Sequence, residues 1–138
     1  YGIGSDVYSV TSFNELARDG QDVARHNLLH AEAEPRVPYI ASVMGNEPAV
    51  AATDYMKNYA DQVRAFIPAE SYAVLGTDGY GRSDSREILR THFEVNRHYV
   101  VIAALSELAK RGDVETGTIT EAISRYGIDV NKPNPLFC

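Results

Sequence analysis

Gly76-Thr77-Asp78-Gly79-Tyr80-Gly81-Arg82-Ser83, running into Asp84-Ser85-Arg86-Glu87-Ile88-Leu89-Arg90, decides how this chain is read. The stretch follows the apolar run Tyr72-Ala73-Val74-Leu75 and opens a helix-like pattern. That is the setting of a phosphate-binding loop, in which G-x-x-x-x-G is followed by lysine and a hydroxyl residue. Here arginine stands in the lysine position. A guanidinium is a planar fork that needs more room than the compact ammonium wrapped under a phosphate. Asp78 inside the loop would also repel an anion, and no second acidic strand is available for magnesium. An independent phosphate- or nucleotide-binding module built on Gly76–Ser83 is therefore the alternative reading. The simpler one is a tight strand-to-helix turn capped by Ser83 or Asp84, with Arg82 and Arg86 paired to neighbouring carboxylates.

Outward from this loop the chain reads as an α/β fold. Three short runs rich in β-branched, aromatic and small apolar residues predict buried strands at Val7–Val10, Ala49–Ala52 and Tyr72–Leu75. After the first, Ser12 and Glu15 form a capping box, and Phe13, Leu16, Ala17, Val23, Ala24 and Leu28 continue as an apolar stripe with a break or kink expected near Asp19-Gly20. After the second, Thr53 or Asp54 can cap a helix carrying Met56, Tyr59, Ala60, Val63, Phe66 and Ile67, which Pro68 ends. Pro35, Pro38 and Pro48 bracket one or two helical turns at Tyr39–Met44. Asn96 caps a helix ending at Arg111-Gly112, and a last helix runs from about Thr118 to Tyr126, closed by Gly127. Strand, cap and helix repeat without hairpin signals. This predicts a mostly parallel open sheet flanked by helices, in a single domain over residues 1–138.

Composition narrows the function classes. With 138 residues, 44% hydrophobic and 23% charged, the chain suits one soluble globular unit. No apolar run approaches the ~20 residues of a membrane helix. A net charge of −6 with thirteen scattered Lys and Arg disfavours nucleic acid. The one cysteine, Cys138, cannot form an internal disulfide, which suits a reducing cytoplasm. His26 and His30 lie four apart, as two metal-binding imidazoles do, but the glutamate of a zinc-protease motif is absent, so surface histidines are expected. His92 and His98 fall in a helix-to-helix connection. No G-x-S-x-G elbow or acidic dyad stands out. Tyr1-Gly2-Ile3-Gly4 leads directly into the first strand without an initiator methionine, and three strands are few for so many helices. The expectation is a carboxy-terminal fragment of a larger protein whose first strand and helix lie upstream.

Several separate blocks carry a resemblance: Gly4 to Asp22, Pro35-Arg36-Val37-Pro38-Tyr39-Ile40-Ala41, Thr53-Asp54-Tyr55-Met56-Lys57, Leu75 to Arg86, Ala104 to Gly112, and Asn131-Lys132-Pro133-Asn134-Pro135. Together they resemble the carboxy-terminal domain of the homodimeric bacterial pyruvate dehydrogenase decarboxylating component, a transketolase-like thiamine diphosphate enzyme. The resemblance implies a three-domain subunit in a homodimer that decarboxylates pyruvate. It passes the acetyl group to lipoyl groups of the dihydrolipoyl acetyltransferase component. Thiamine diphosphate and magnesium bind between the first two domains, so no catalytic, cofactor-binding or metal-binding residue is carried onto this chain, and the isolated fragment is expected to be inactive. Its implied role is to complete the dimer and brace the middle domain. Thr11, Ser12, Thr53, Asp54, Thr77 and Asp78 mark the carboxyl ends of the strands, where open α/β sheets place ligands. That edge reads first as an interdomain contact and second as a small-anion site. Asp78, Arg82, Asp84 and Arg86 are the candidates for interdomain or intersubunit ion pairs. A module that docks the acetyltransferase by itself ranks below both other readings.

Overall fold

The computed structural model describes all residues, Tyr1–Cys138. Two of the expected strands form within their expected bounds. β1 (Ala49–Ala52) and β2 (Tyr72–Leu75) pair in parallel, with Ala49 opposite Tyr72 and Ala52 opposite Leu75. They are the whole sheet. Val7–Val10 is not a strand: residues 1–10 have no regular structure, and Val7 is 91% exposed. β-branched residues favour a strand through packing on a pleated, paired surface. This segment pairs with no strand, and its long-range ties are made by side chains: the Tyr8 hydroxyl donates to the Val43 carbonyl, and the Tyr1 hydroxyl bonds that of Tyr126.

Six helices surround the strand pair. α1 (Phe13–Leu29) starts where the Ser12 hydroxyl accepts from the Glu15 amide. The Glu15 carboxylate pairs with Arg18. No kink interrupts α1 at Gly20, which is buried because the helix passes close to the Phe66 ring. α2 (Tyr39–Val43) begins directly after Pro38, and the Asp19 carboxylate accepts from its first amide, Tyr39, at 2.7 Å.

α3 (Lys57–Asp61) is much shorter than its apolar periodicity implies. The cause is a competition for its carbonyls. Gln62 Nε2 donates to the Tyr59 carbonyl and the Tyr72 hydroxyl donates to the Ala60 carbonyl, both at 2.8 Å. An extended helix would use those oxygens for the amides of Val63 and Arg64. The chain continues in tighter turns, with Arg64 bonding Asp61 and Phe66 bonding Val63. The correct face is still buried: Ala60 and Val63 are almost fully enclosed. Burial also pushes the Tyr72 hydroxyl up to about 12, so it remains a donor across the working pH range.

Ala17, Ile40 and Val63 form the centre of one core cluster, packed by Phe13, Leu16, Met44, Phe66, Ile67 and Tyr72. α4 (Arg86–His92) follows the glycine-rich loop. α5 (Arg97–Arg111) packs on both strands and on α6 (Thr116–Arg125). As the sequence implies, Asn96 accepts from the amides of His98 and Tyr99, and Gly112 closes α5 in the left-handed region. Arg111 then binds three carboxylates, Glu47, Glu70 and Asp113, tying the end of α5 to the segments that lead into β1 and β2.

Glu107 is the one charged side chain in the buried set, at 7% exposure. Its hydrogen bond from Lys110 holds the carboxyl below the usual range, and burial opposes the shift. A carboxylate whose folded pKa is depressed stabilises the fold above its unfolded value, near about 4.3, and loses that contribution as pH falls through the folded value. Glu107→Gln should therefore cost about 1 kcal/mol at neutral pH, a modest figure because Lys110 remains solvated. The deficit should vanish in acid. Urea melts of both proteins at pH 7 and pH 3 check this, and an equal deficit at both values would contradict it.

Candidate functional site

The carboxyl ends of β1 and β2 open onto a knot of polar groups built by backbone proximity. Thr77 donates its amide to the Tyr55 carbonyl and its hydroxyl to the Asp54 carbonyl, both at 2.9 Å, locking the segment after β2 to the one after β1. The Thr53 hydroxyl accepts from the Tyr55 amide. Asp78 turns inward and accepts from the Lys57 amide at 3.1 Å, so the first free amide of α3 is satisfied from the neighbouring loop. Neither Thr53 nor Asp54 caps that helix, since its N-cap is Met56 with no side-chain bond. Of the six strand-end polar residues, Thr53, Asp54, Thr77 and Asp78 come together. Ser12 serves α1, away from this network.

Above the knot, Asp54 faces two arginines of α4, Arg86 at 3.2 Å and Arg90 at 3.6 Å. The Arg86 pairing matches the simpler reading of the loop. Arg82 makes no ion pair and is exposed, and Asp84 accepts only from the adjacent Ser85 amide. α4 is capped by Ser85, whose hydroxyl accepts from Ile88, rather than by Ser83 or Asp84. The correction has a physical reason: Ser85 is still extended, at φ −62° and ψ 151°, so the helix begins only at Arg86.

The glycines show what this loop is made for. A Cβ on Gly76 would meet the Lys57 amide at 2.7 Å and the Tyr55 carbonyl at 2.8 Å. Gly79 has φ +113° and lies directly against the Pro135 carbonyl. Gly81 faces open space. The room a phosphate would need beside Gly76 and Gly79 is filled by the chain's own backbone. A P-loop also runs straight into its helix at the Lys-Ser/Thr step, whereas Arg82 and Ser83 precede the cap here. No three His, Cys, Asp or Glu side chains gather in the structure as a metal-ligand group. No catalytic step is assigned to the loop residues.

The carboxy-terminal tail belongs to the site, which spacing alone did not reveal. Pro135 is buried under the loop. Lys132 reaches the end of α4, donating to the carbonyls of Thr91 and His92 and to Glu94 Oε1 at 3.1 Å, with its ammonium 5.9 Å from the Tyr99 ring centre. Two carbonyls at the carboxyl end of a short helix, and the Glu94 carboxylate beyond it, are thereby served by one cation. A shallow depression lined by Arg82, Ser83, Asp84, Ile88, Leu89 and His92 lies beside this latch. Burial lowers the His92 pKa, and the Arg82 and Lys132 charges push in the same direction. His92 therefore stands neutral near pH 7.

The comparisons with known proteins agree with the resemblance carried by the sequence blocks. The Transketolase-like TK C-terminal domain description matches residues 1–96, ending at the cap of α5. The pyruvate dehydrogenase E1 component of Escherichia coli (strain K12) is 64% identical over 135 residues, covering 98% of this chain and 15% of that protein. The same-named component of Haemophilus influenzae is 58% identical over 137 residues, covering 99% of the chain and 16% of the relative. That of Pseudomonas aeruginosa is 56% identical over 140 residues, with 100% and 16% coverage. The chain thus spans about one-sixth of the length of these relatives. The relatives align through α5, α6 and the tail as well, so the Lys132 latch lies inside the shared region. A parallel strand pair flanked by helices, with a glycine-shaped turn after β2, is the architecture of that matched region, and the chain belongs to the transketolase-like C-terminal domain family.

Proposed function

We propose that this chain acts as the carboxy-terminal architectural domain of a pyruvate dehydrogenase E1 component. The observation that carries the reading is 64% identity across 98% of the chain to such a protein. The whole protein would oxidatively decarboxylate pyruvate with thiamine diphosphate and magnesium held by its other domains. It would then hand the acetyl group to lipoyl groups of the dihydrolipoyl acetyltransferase component, in the cytoplasm and as a homodimer. Within this chain the loop after β2 is the contact element. Arg82 and Asp84 are exposed and free to pair with opposite charges, Tyr80 is 71% exposed, and Asp78 and Arg86 fix the loop to the sheet.

Two measurements test this. Calorimetric titration of the chain with thiamine diphosphate and Mg2+, or with ATP and Mg2+, should give no saturable heat. In the full-length enzyme, Arg82→Glu should weaken subunit or domain assembly about tenfold or more by placing an acid where a base is needed. Sedimentation of the dimer, with activity measured in parallel, reads the effect. Cofactor binding by the chain alone, or unchanged assembly and activity after the charge reversal, would overturn the corresponding half of the proposal.

A further inference from the structure

The apolar stripe around α3 is only half used by this chain. Ala60 and Val63 are enclosed in the core, whereas Met56 and Tyr59, four residues before each of them on the same stripe, are exposed. Tyr55 sets its ring against that of Tyr59, with centroids 5.3 Å apart, and is itself 68% exposed. The patch continues onto the loop after β2. The Tyr55 carbonyl accepts from the Thr77 amide at 2.9 Å, and the Lys57 amide donates to Asp78 at 3.1 Å. The exposed Tyr80 is no more than about 7 Å of chain from Asp78, so it borders the same surface. Gly79 rests against the backbone of Pro135 and Leu136, which brings the exposed Leu136 and Phe137 to the loop's other side. None of the Tyr55, Tyr59 and Tyr80 hydroxyls bonds within the chain, whereas those of Tyr8 and Tyr72 do. Single exposed apolar residues are ordinary on a protein surface, but a contiguous group marks a contact.

Charge narrows the kind of partner. Lys57 Nζ and Arg82 stand in this surface without an ion pair, while the neighbouring carboxylates are engaged within the fold, Asp54 by Arg86 and Arg90 and Asp78 by the Lys57 amide. Tyr, Met and Arg together are the side chains that protein interfaces favour. We propose, on the reading of the chain as a domain of an E1 component, that this aromatic face is covered by a segment of the parent polypeptide outside the chain. That segment brings aliphatic or aromatic side chains for the tyrosines, flanked by Asp or Glu for Lys57 and Arg82. The matched region is 15% of the Escherichia coli relative, so most of such a polypeptide lies outside it and can supply the occupant. Because both parts belong to one polypeptide, the segment meets the face at high effective concentration, and a contact of moderate area is sufficient. A second copy is the poorer occupant, since a two-fold pairing of this face with itself sets Lys57 and Arg82 against their own like.

The test is hydroxyl-radical footprinting read by mass spectrometry, applied to the 138-residue chain and to the full-length enzyme, with the radical dose calibrated by an added tracer peptide. Tyr and Met side chains are oxidised readily where they are open to solvent. Oxidation of Tyr55, Met56, Tyr59 and Tyr80 should fall at least about fivefold in the full-length enzyme. Tyr55→Ser combined with Tyr80→Ser should leave the melting temperature of the isolated chain unchanged, because both side chains are exposed there. In the full-length enzyme the same pair should return Met56 oxidation to within about twofold of its rate in the isolated chain. Tyr39, comparably exposed but on α2, is the reference. Protection of Tyr39 with the four residues left open would overturn the inference and leave the proposed function standing, since the domain is then braced through another face. Protection nowhere would overturn both. Protection that grows with concentration in the isolated chain would assign the face to a second copy and overturn the inference as well.

Discussion

Gly79→Ala should lower stability by about 2–4 kcal/mol, whereas Gly81→Ala, two residues along the same loop, should change it by less than about 0.5 kcal/mol. The large value has two sources. At φ +113° an L side chain is strained whatever the surrounding space, and the new methyl would also strike the Pro135 carbonyl. A backbone oxygen cannot step aside as a flexible side chain would. The tail must therefore lift, which withdraws Lys132 from the end of α4 and uncovers the carbonyls it serves. Gly76→Ala belongs with the costly group, because its methyl would press on backbone atoms of Tyr55 and Lys57. Thermal melts should show a drop of roughly 10 °C for Gly79→Ala. Hydrogen exchange should show lost protection in residues 129–138 as well as in the loop. A phosphate-loop signature names Gly76 and Gly81 as its fixed glycines and leaves Gly79 free. The structure needs Gly76 and Gly79 and leaves Gly81 free. Equal tolerance at Gly79 and Gly81 would therefore remove the tail-packing account of this loop.

The contrast shows which parts of the chain could be read from residues alone. Features written in a few consecutive positions were legible: Ser12 at the start of α1, Asn96 and Gly112 at the ends of α5, and the strands Ala49–Ala52 and Tyr72–Leu75. Val7–Val10 carries the same residue types as those strands, but strand formation needs a partner and composition does not say whether one exists. α3 was misjudged for a related reason. Its apolar spacing is correct, yet its length is set by the Tyr72 hydroxyl, twelve residues away in sequence. The candidate site is mostly of this second kind. Asp78 meets Lys57 across 21 residues, Arg86 meets Asp54 across 32, and Lys132 meets Thr91 across 41. No local spacing encodes such pairs. The resemblance to a family carries a reading of function that these pairs leave unstated, because in the structure they brace a loop.

Gly20→Ala is expected to destabilise the chain by about 1–2 kcal/mol, against the direction helix propensity alone would give. In the middle of α1, alanine should gain up to about 1 kcal/mol over glycine. Here the added methyl would overlap the Phe66 ring, with three of its ring carbons within contact distance. Phe66 is half-buried against the Ala17–Ile40–Val63 cluster. Its ring can move only by disturbing that packing, and forcing an extra carbon into a packed core costs roughly 1–3 kcal/mol. The packing term therefore outweighs the propensity gain. Shrinking the ring separates the two effects: Phe66→Leu alone leaves a gap and destabilises, but in the Gly20→Ala background it relieves the overlap. The double variant should be more stable than the two single losses summed, by about 1 kcal/mol or more. Denaturant melts of the four proteins close the cycle. Stabilisation by Gly20→Ala alone, or strict additivity with Phe66→Leu, would mean that α1 and the turn after α3 do not touch at Gly20. The break that the sequence suggests at Asp19-Gly20 would then regain its standing as the reason for the glycine.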